Sequence, residues 1–157
     1  MNKQLKSQSD PLGLDDITSA IIREAMQIHR RLGPGLLESV YDSILSRALV
    51  RRGLRVQSQE PVRFEYDGIS YPNAFRPDLI VNERVIVEVK SVEKVSAVHK
   101  KQLLTYLRIM QLPVGLLINF GDETLRQGLV RMVNKLEPSE SPIIRINRGD
   151  ATVTDQQ

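Results

Sequence analysis

Apolar residues recur every three or four positions at Ile17, Ile21, Ala25, Ile28 and Leu32. This predicts an amphipathic helix with one buried stripe. Asp15 and Asp16 are cap-type residues at its start. Gly33-Pro34-Gly35 ends it, since proline disfavours helix in the residue before it and glycine suits the cap. The same period returns at Leu37, Val40, Tyr41, Ile44, Leu45, Ala48 and Leu49, with Arg51 and Arg52 in the last turn and Gly53 as the stop. The period then changes to two. Val62, Phe64 and Tyr66 alternate with Arg63 and Glu65, Asp67-Gly68 marks a hairpin turn, and Ile69 to Phe75 reads as a return strand weakened by Pro72. Asp78 to Val81 and Val85 to Val89 are two further strands whose apolar character on both faces predicts a sheet covered by helices. A helix from Ala97 to Gln111 follows, then a central strand from Val114 to Phe120. The stretch from Glu123 to Leu136 is ambiguous, and the reading adopted is a short helix followed by a strand through Val130 to Val133. Beyond Glu137 the chain is polar apart from Ile143 to Ile146, and fraying is expected. The organisation expected is therefore a flexible arm over 1–14, one α/β domain over 15–136 and a tail over 137–157, without repeats or linkers.

Composition narrows the function classes. The 157 residues fit one domain, and 41% hydrophobic with 26% charged residues is an ordinary globular balance. No apolar run approaches the roughly 18 to 20 residues needed to cross a bilayer, and the polar start does not read as a secretory signal. A cytoplasmic protein with no membrane partner is the expectation. The chain has no cysteine, which excludes disulfides and thiolate metal sites. A net charge of +3 is compatible with a phosphate-bearing partner. With 4% aromatics and no tryptophan, a stacking platform for single strands is not indicated.

The chemistry concentrates between Asp78 and Lys90. Side chains alternate along a strand, so Glu88 and Lys90 share a face opposite Val87 and Val89. If Asn82, Glu83 and Arg84 form a three-residue loop, Val81 pairs with Val85, and counting outward sets Asp78 opposite Glu88. Opposed Cβ atoms lie about 4.5 to 5.5 Å apart. Two carboxylates that close repel unless one is protonated or a cation sits between them. A divalent metal with oxygen ligands answers that repulsion, and Lys90 beside it would orient or deprotonate an attacking water. Against this stands a plainer use, since alternating Glu and Lys also guard sheet edges against aggregation.

These residues match a known pattern. The chain resembles the GxxExxY family of the PD-(D/E)XK nuclease superfamily, close to the RecB-like nucleases. The name motif reads Gly35-Leu36-Leu37-Glu38-Ser39-Val40-Tyr41, and the core motif Phe75-Arg76-Pro77-Asp78-Leu79-Ile80-Val81 followed by Val85-Ile86-Val87-Glu88-Val89-Lys90. The trailing motif is Gln102-Leu103-Leu104-Thr105-Tyr106-Leu107, and Gly115 to Gly121 is similar to the family's late strand. The resemblance spans about Asp15 to Lys135. It implies an α/β fold with a restriction-endonuclease-like core, a central mixed sheet flanked by helices. It implies Asp78 and Glu88 as metal ligands, Glu38 as an outer ligand or water holder, and Lys90 as the catalytic lysine. Gln102 joins the catalytic set, while Arg76, Tyr106 and Lys101 would contact substrate phosphate.

Each role has a simpler counterpart. Glu38 falls in a first helical turn, where it favours the dipole. Tyr41 fits the apolar stripe and reads as core rather than ligand. Gln102 and Tyr106 form an ordinary helical pair one turn apart, and His99 at a helix start reads as structural. The function implied is a Mg²⁺- or Mn²⁺-dependent nuclease that hydrolyses DNA phosphodiesters with metal-activated water. The alternative is a non-catalytic module of the same fold that binds nucleic acid or a protein partner, and a homodimer is compatible with either. A small-molecule hydrolase has little support, as the chain shows no nucleophile elbow, Gly-rich phosphate loop or HExxH pattern.

Overall fold

The computed structural model describes residues 12–135 and the strand 144–146. Most of the expected arm and most of the tail lie outside the described residues. Among the described residues, three helices and eight strands run in the order α1 (Leu14–Leu32), α2 (Glu38–Arg51), β1 (Val56–Ser58), β2 (Val62–Tyr66), β3 (Ile69–Phe75), β4 (Leu79–Val81), β5 (Val85–Lys90), α3 (Ala97–Met110), β6 (Val114–Asn119), β7 (Leu129–Val133) and β8 (Ile144–Ile146).

The main sheet has five strands in the order β1-β4-β5-β6-β7. Only β5 and β6 are parallel, with α3 as the crossover between them, so the sheet is mixed. Its faces are covered as the two-sided apolar runs of β5 and β6 require. Ile17, Ile21 and Ala25 of α1 and Tyr41, Leu45 and Leu49 of α2 pack on Val85, Val87 and Val89. On the other face Leu103 and Leu107 of α3 pack on Ile80, Ile86 and Leu117. The β4–β5 turn follows the expected count, with Val81 paired to Val85, Ile80 to Ile86 and Leu79 to Val87. Asn82 and Glu83 both take left-handed backbone angles there, at φ 49° and 55°, and the short polar side chain of Asn82 suits that region.

Several expectations are corrected. The residue that caps α1 is Gly13, while Asp15 and Asp16 lie inside the first turn and the Asp16 carboxylate accepts the Gly13 N–H at 3.1 Å. Leu37 caps α2 from outside and is 73% exposed, so the apolar stripe of α2 starts later than the periodicity predicts. The helix expected after Glu123 is absent. Thr124 and Gln127 exchange hydrogen bonds between side chains and backbone N–H groups, closing a turn, and the chain enters β7 directly at Leu129. A second sheet of three strands, β3-β2-β8, stands apart from the main one. Its edge strand β3 tolerates Pro72 because the β2–β3 register shifts between Val62 and Phe64, where the partner on β3 jumps from Phe75 to Tyr71. Ile144–Ile146 pairs with β2 where fraying was expected, since β2 offers it an unpaired edge.

Candidate active site

The paired ladder of β4 and β5 ends at Leu79 and Val87. One residue further out, the side chains of Asp78 and Glu88 take over from backbone carbonyls. The Glu88 carboxylate accepts the Asp78 N–H at 3.1 Å, and the Asp78 carboxylate accepts the Val89 N–H at 2.8 Å. The counted register therefore brings the two acids together. Glu88 is 6% exposed, and its carboxyl is pushed up to about 8. Burial is the main cause and the neighbouring Asp78 charge the second, while the Asp78 N–H and the Lys90 charge oppose them. Lys90, two residues along the same strand, is half-buried and acts on Glu88 through its charge.

Tyr106 of α3 feels the charge of the same acids. Burial first, then the charges of Glu88 and Asp78, raise its hydroxyl above the usual range, and a Gln102 hydrogen bond opposes them. The Tyr106 ring stacks on Phe75, with centroids 4.1 Å apart and planes 7° from parallel. Phe75 ends β3, three residues before Asp78, so the stack helps fix the segment that carries the acid. Gln102 and Tyr106 thus lie together one turn apart on α3. Arg76 and Lys101 are exposed, and no contact ties either to the acids.

Glu38 begins α2, and its carboxylate accepts the N–H of Ser91, the residue after Lys90, at 3.3 Å. Ser91 in turn donates its hydroxyl to the Leu36 carbonyl at 2.6 Å. An open groove lined by Leu36, Leu37, Glu38, Ser91, Val92 and Gly121 runs beside this contact. Tyr41 is a core residue, fully buried and stacked on Phe120 at 4.4 Å, with its hydroxyl bonded into the Gly33–Leu36 turn. His99 accepts the Ser96 N–H while Ser96 accepts the His99 N–H, a reciprocal cap of α3.

Two residues at the site escaped the sequence reading. Asp42 lies one helical turn after Glu38, and its carboxyl is raised to about 6 by burial and then by the Asp78 charge, against a Gln59 hydrogen bond. Its Oδ1 is buried without a hydrogen-bond partner. Gln59, just beyond β1, donates its amide to Asp78 Oδ1 at 2.8 Å and its backbone N–H to the Asp78 carbonyl at 3.0 Å. The signal for Asp42 was the spacing from Glu38, since residues four apart share a helix face. No local signal marks Gln59, because it depends on β1 pairing with β4.

The strand end behind Lys90 is tied by Asn119. This fully buried side chain accepts the N–H groups of Val92 and Gly121 at 3.0 and 3.1 Å. It donates to the Val92 carbonyl and the Asp122 carboxylate, both at 2.8 Å. A Cβ on Gly121 would sit 2.1 Å from the Val92 carbonyl oxygen, so only glycine allows this approach.

The sequence profile of the PD-(D/E)XK nuclease superfamily matches residues 15–132, which run from the second residue of α1 to the last but one of β7. The chain belongs to the PD-(D/E)XK nuclease superfamily. Comparison with curated proteins and with solved structures gives no match. Nucleases of this superfamily generally use divalent metals. The donor chemistry fits such a cation. Asp78 and Glu88 offer oxygen ligands only, burial and then the Asp78 charge raise the Glu88 carboxyl to about 8, and a buried Asp42 oxygen lacks a hydrogen-bond partner. Among the described residues no three His, Cys, Asp or Glu side chains converge closely enough to hold a metal as they stand. None of the described helices is long and apolar enough to cross a membrane.

Proposed function

We propose that this PD-(D/E)XK protein is a Mg²⁺- or Mn²⁺-dependent nuclease that hydrolyses phosphodiester bonds of DNA. The observation that carries the reading is the pairing of half-buried Asp78 with buried Glu88, with Lys90 on the same strand face as Glu88. Asp78 and Glu88 would hold the cation, and Glu38 would hold a water beside it. A bound divalent cation supplies Lewis acidity toward the phosphate and an activated water. Lys90 would orient that water as the ammonium, or take up its proton as the neutral amine. Gln102 positions the Tyr106 hydroxyl, and Tyr106, Arg76 and Lys101 contact phosphate oxygens. The Lys90 ammonium, beside Glu88 on the same strand face, would also neutralise charge that develops on the phosphoryl group.

A second reading has one observation in its favour. Asp78 and Glu88 already cap backbone N–H groups where β4 and β5 part, a structural use that a non-catalytic nuclease-fold module binding nucleic acid or a protein partner would retain. The deciding experiment is a cleavage screen on single- and double-stranded DNA and on RNA. It is run with Mg²⁺, with Mn²⁺ and with chelator, on the native chain and on Asp78→Ala and Lys90→Ala. Metal-dependent cleavage lost in both variants supports the nuclease. Nucleic-acid binding without cleavage, indifferent to metal and to Lys90, supports the module.

A further inference from the structure

A groove separate from the paired acids runs between α1 and α2. Its floor is apolar, made by Ile28 and Leu32 of α1 and by Ile44 and Ala48 of α2. Leu32 is 47% exposed although the sheet-facing stripe of the same helix is closed. On α2, Tyr41, Leu45 and Leu49 are buried in the core, whereas Val40, Ile44 and Ala48, spaced four apart beside them, stay exposed or half-buried. α2 therefore carries more apolar surface than the sheet covers, and contiguous apolar surface left in water marks a contact site.

Arginines line the rim. Arg52 pairs with Glu24 across the groove. Arg31 and Arg51 are exposed, and among the described residues no carboxylate pairs with either. Arg51 spends only its Nε on the chain, donating to the Arg47 carbonyl at 3.4 Å. The segment 14–53 holds six arginines and no lysine. A guanidinium keeps its charge when partly desolvated and offers a planar fork to carboxylate or phosphate oxygens.

We infer that this groove docks an acidic amphipathic helix of a partner protein. The partner's apolar stripe lies on Leu32, Ile44 and Ala48, and its carboxylates meet Arg31 and Arg51, as when a helix fills a groove between two others. A nucleic-acid backbone would satisfy the arginines but leave the apolar floor unused. A second copy seated symmetrically would set one arginine rim against another. The Arg51 end of the groove lies about 20 Å along α2 from Glu38, so a docked helix leaves the paired acids open. The inference does not depend on the nuclease reading.

Fluorescence anisotropy on the full chain tests it with three synthetic peptides of about 18 residues, long enough to hold a helix. All share one leucine stripe and carry Glu, Gln or Lys at the flanking positions. The native chain should bind the Glu peptide about 10-fold more tightly than the Gln peptide, and the Lys peptide least. The double variant Arg31→Glu, Arg51→Glu should reverse that order with an unchanged melting temperature, since both side chains are exposed. Leu32→Ser keeps every charge and should weaken the Glu peptide several-fold without changing the order. No binding of any peptide by the native chain, or an order that the double variant leaves unchanged, overturns the proposal. Displacement of the Glu peptide by a short DNA duplex overturns it in favour of nucleic acid, and arginine-dependent sedimentation as a dimer overturns it in favour of a second copy.

Discussion

Asp78 and Glu88 complete the backbone of the strands that carry them: Glu88 accepts the Asp78 N–H at 3.1 Å, and Asp78 accepts the Val89 N–H at 2.8 Å. The two acids thus hold the fork at which β4 leaves β5, and their charges are forced together by the bonds that hold it. A fork built this way keeps Glu88 from ionising easily, and on the metal-dependent reading proposed above a cation would take the place of its proton.

The pH dependence of the metal-free protein follows from Glu88. Its carboxyl is raised from 4.5 to about 8, by burial first and the Asp78 charge second, with Lys90 opposing. Asp42 shifts the same way, from 3.8 to about 6. A raised carboxyl binds a proton in the folded chain that the unfolded chain has already released. Stability is therefore unaffected by Glu88 below about 4.5, falls as pH rises toward about 8, and is lowest above it. Each pH unit inside that window costs up to about 1.4 kcal/mol per group. Melting curves in chelator should drop between pH 5 and 8, and Glu88→Gln, which keeps an acceptor for Asp78, should flatten most of the drop. A native profile level over that range would contradict the burial-driven shift. Added Mn²⁺ should stabilise the protein more at pH 8 than at pH 5, since the cation takes the place of the proton.

On the nuclease reading proposed above, Lys90 would separate metal binding from chemistry. It touches the acids through charge and holds no backbone group in place, so Lys90→Met should fold and bind Mn²⁺ within a few-fold of the native chain. Cleavage should fall by about 10² to 10⁴, the range for losing a group that handles a proton. Loss of metal binding in parallel with activity would instead make Lys90 a structural counter-charge.

Much of this architecture was legible in the sequence. The periods of α1, α2 and α3 and the two-sided runs of β5 and β6 name the layers, and the Val81–Val85 count puts Asp78 beside Glu88 because hairpin register is set by the loop. What escaped depends on distance along the chain. β1 has three residues and is held by Asn82, whose side chain accepts the Arg55 N–H at 2.8 Å, a contact no local pattern encodes. Gln59 follows β1 and was missed with it. Asp42 was visible by spacing, but the motif drew attention to Glu38. The helix expected after Glu123 failed because Gly121 and Gly128 are pinned against Val92 and Asn119, which leaves room only for turns.

Tyr106 contributes by two separable means. Tyr106→Phe keeps the Phe75 stack and loses the hydroxyl near Glu88, so stability should move by less than about 0.5 kcal/mol while cleavage drops. Tyr106→Ala removes the stack, and unfolding in urea should show a loss of about 2 kcal/mol, less than for a fully buried ring. Equal cleavage by the native chain and Tyr106→Phe would confine Tyr106 to packing.

Asn119 makes the sharpest prediction about the loop behind the lysine. Its side chain uses two acceptor and two donor positions on Val92, Gly121 and Asp122, with none exposed to water. Lys90 lies opposite it in the parallel ladder, and the Phe120 N–H donates to the Lys90 carbonyl at 2.8 Å. His29 of α1 adds a 2.9 Å bond to the Asp122 carbonyl, so the loop is tied from both sides. Asn119→Ala strips partners from several buried groups at about 1–3 kcal/mol each, and a total near 3 kcal/mol or more is expected in urea unfolding. Asn119→Asp should be at least as damaging, because an acceptor would face the Val92 carbonyl and the Asp122 carboxylate where a donor now stands. Assayed well below its melting point, Asn119→Ala should still cleave more slowly, since the exit of β5 sets where Lys90 points. Full activity in a folded Asn119→Ala would show that the register of β5 alone orients the lysine.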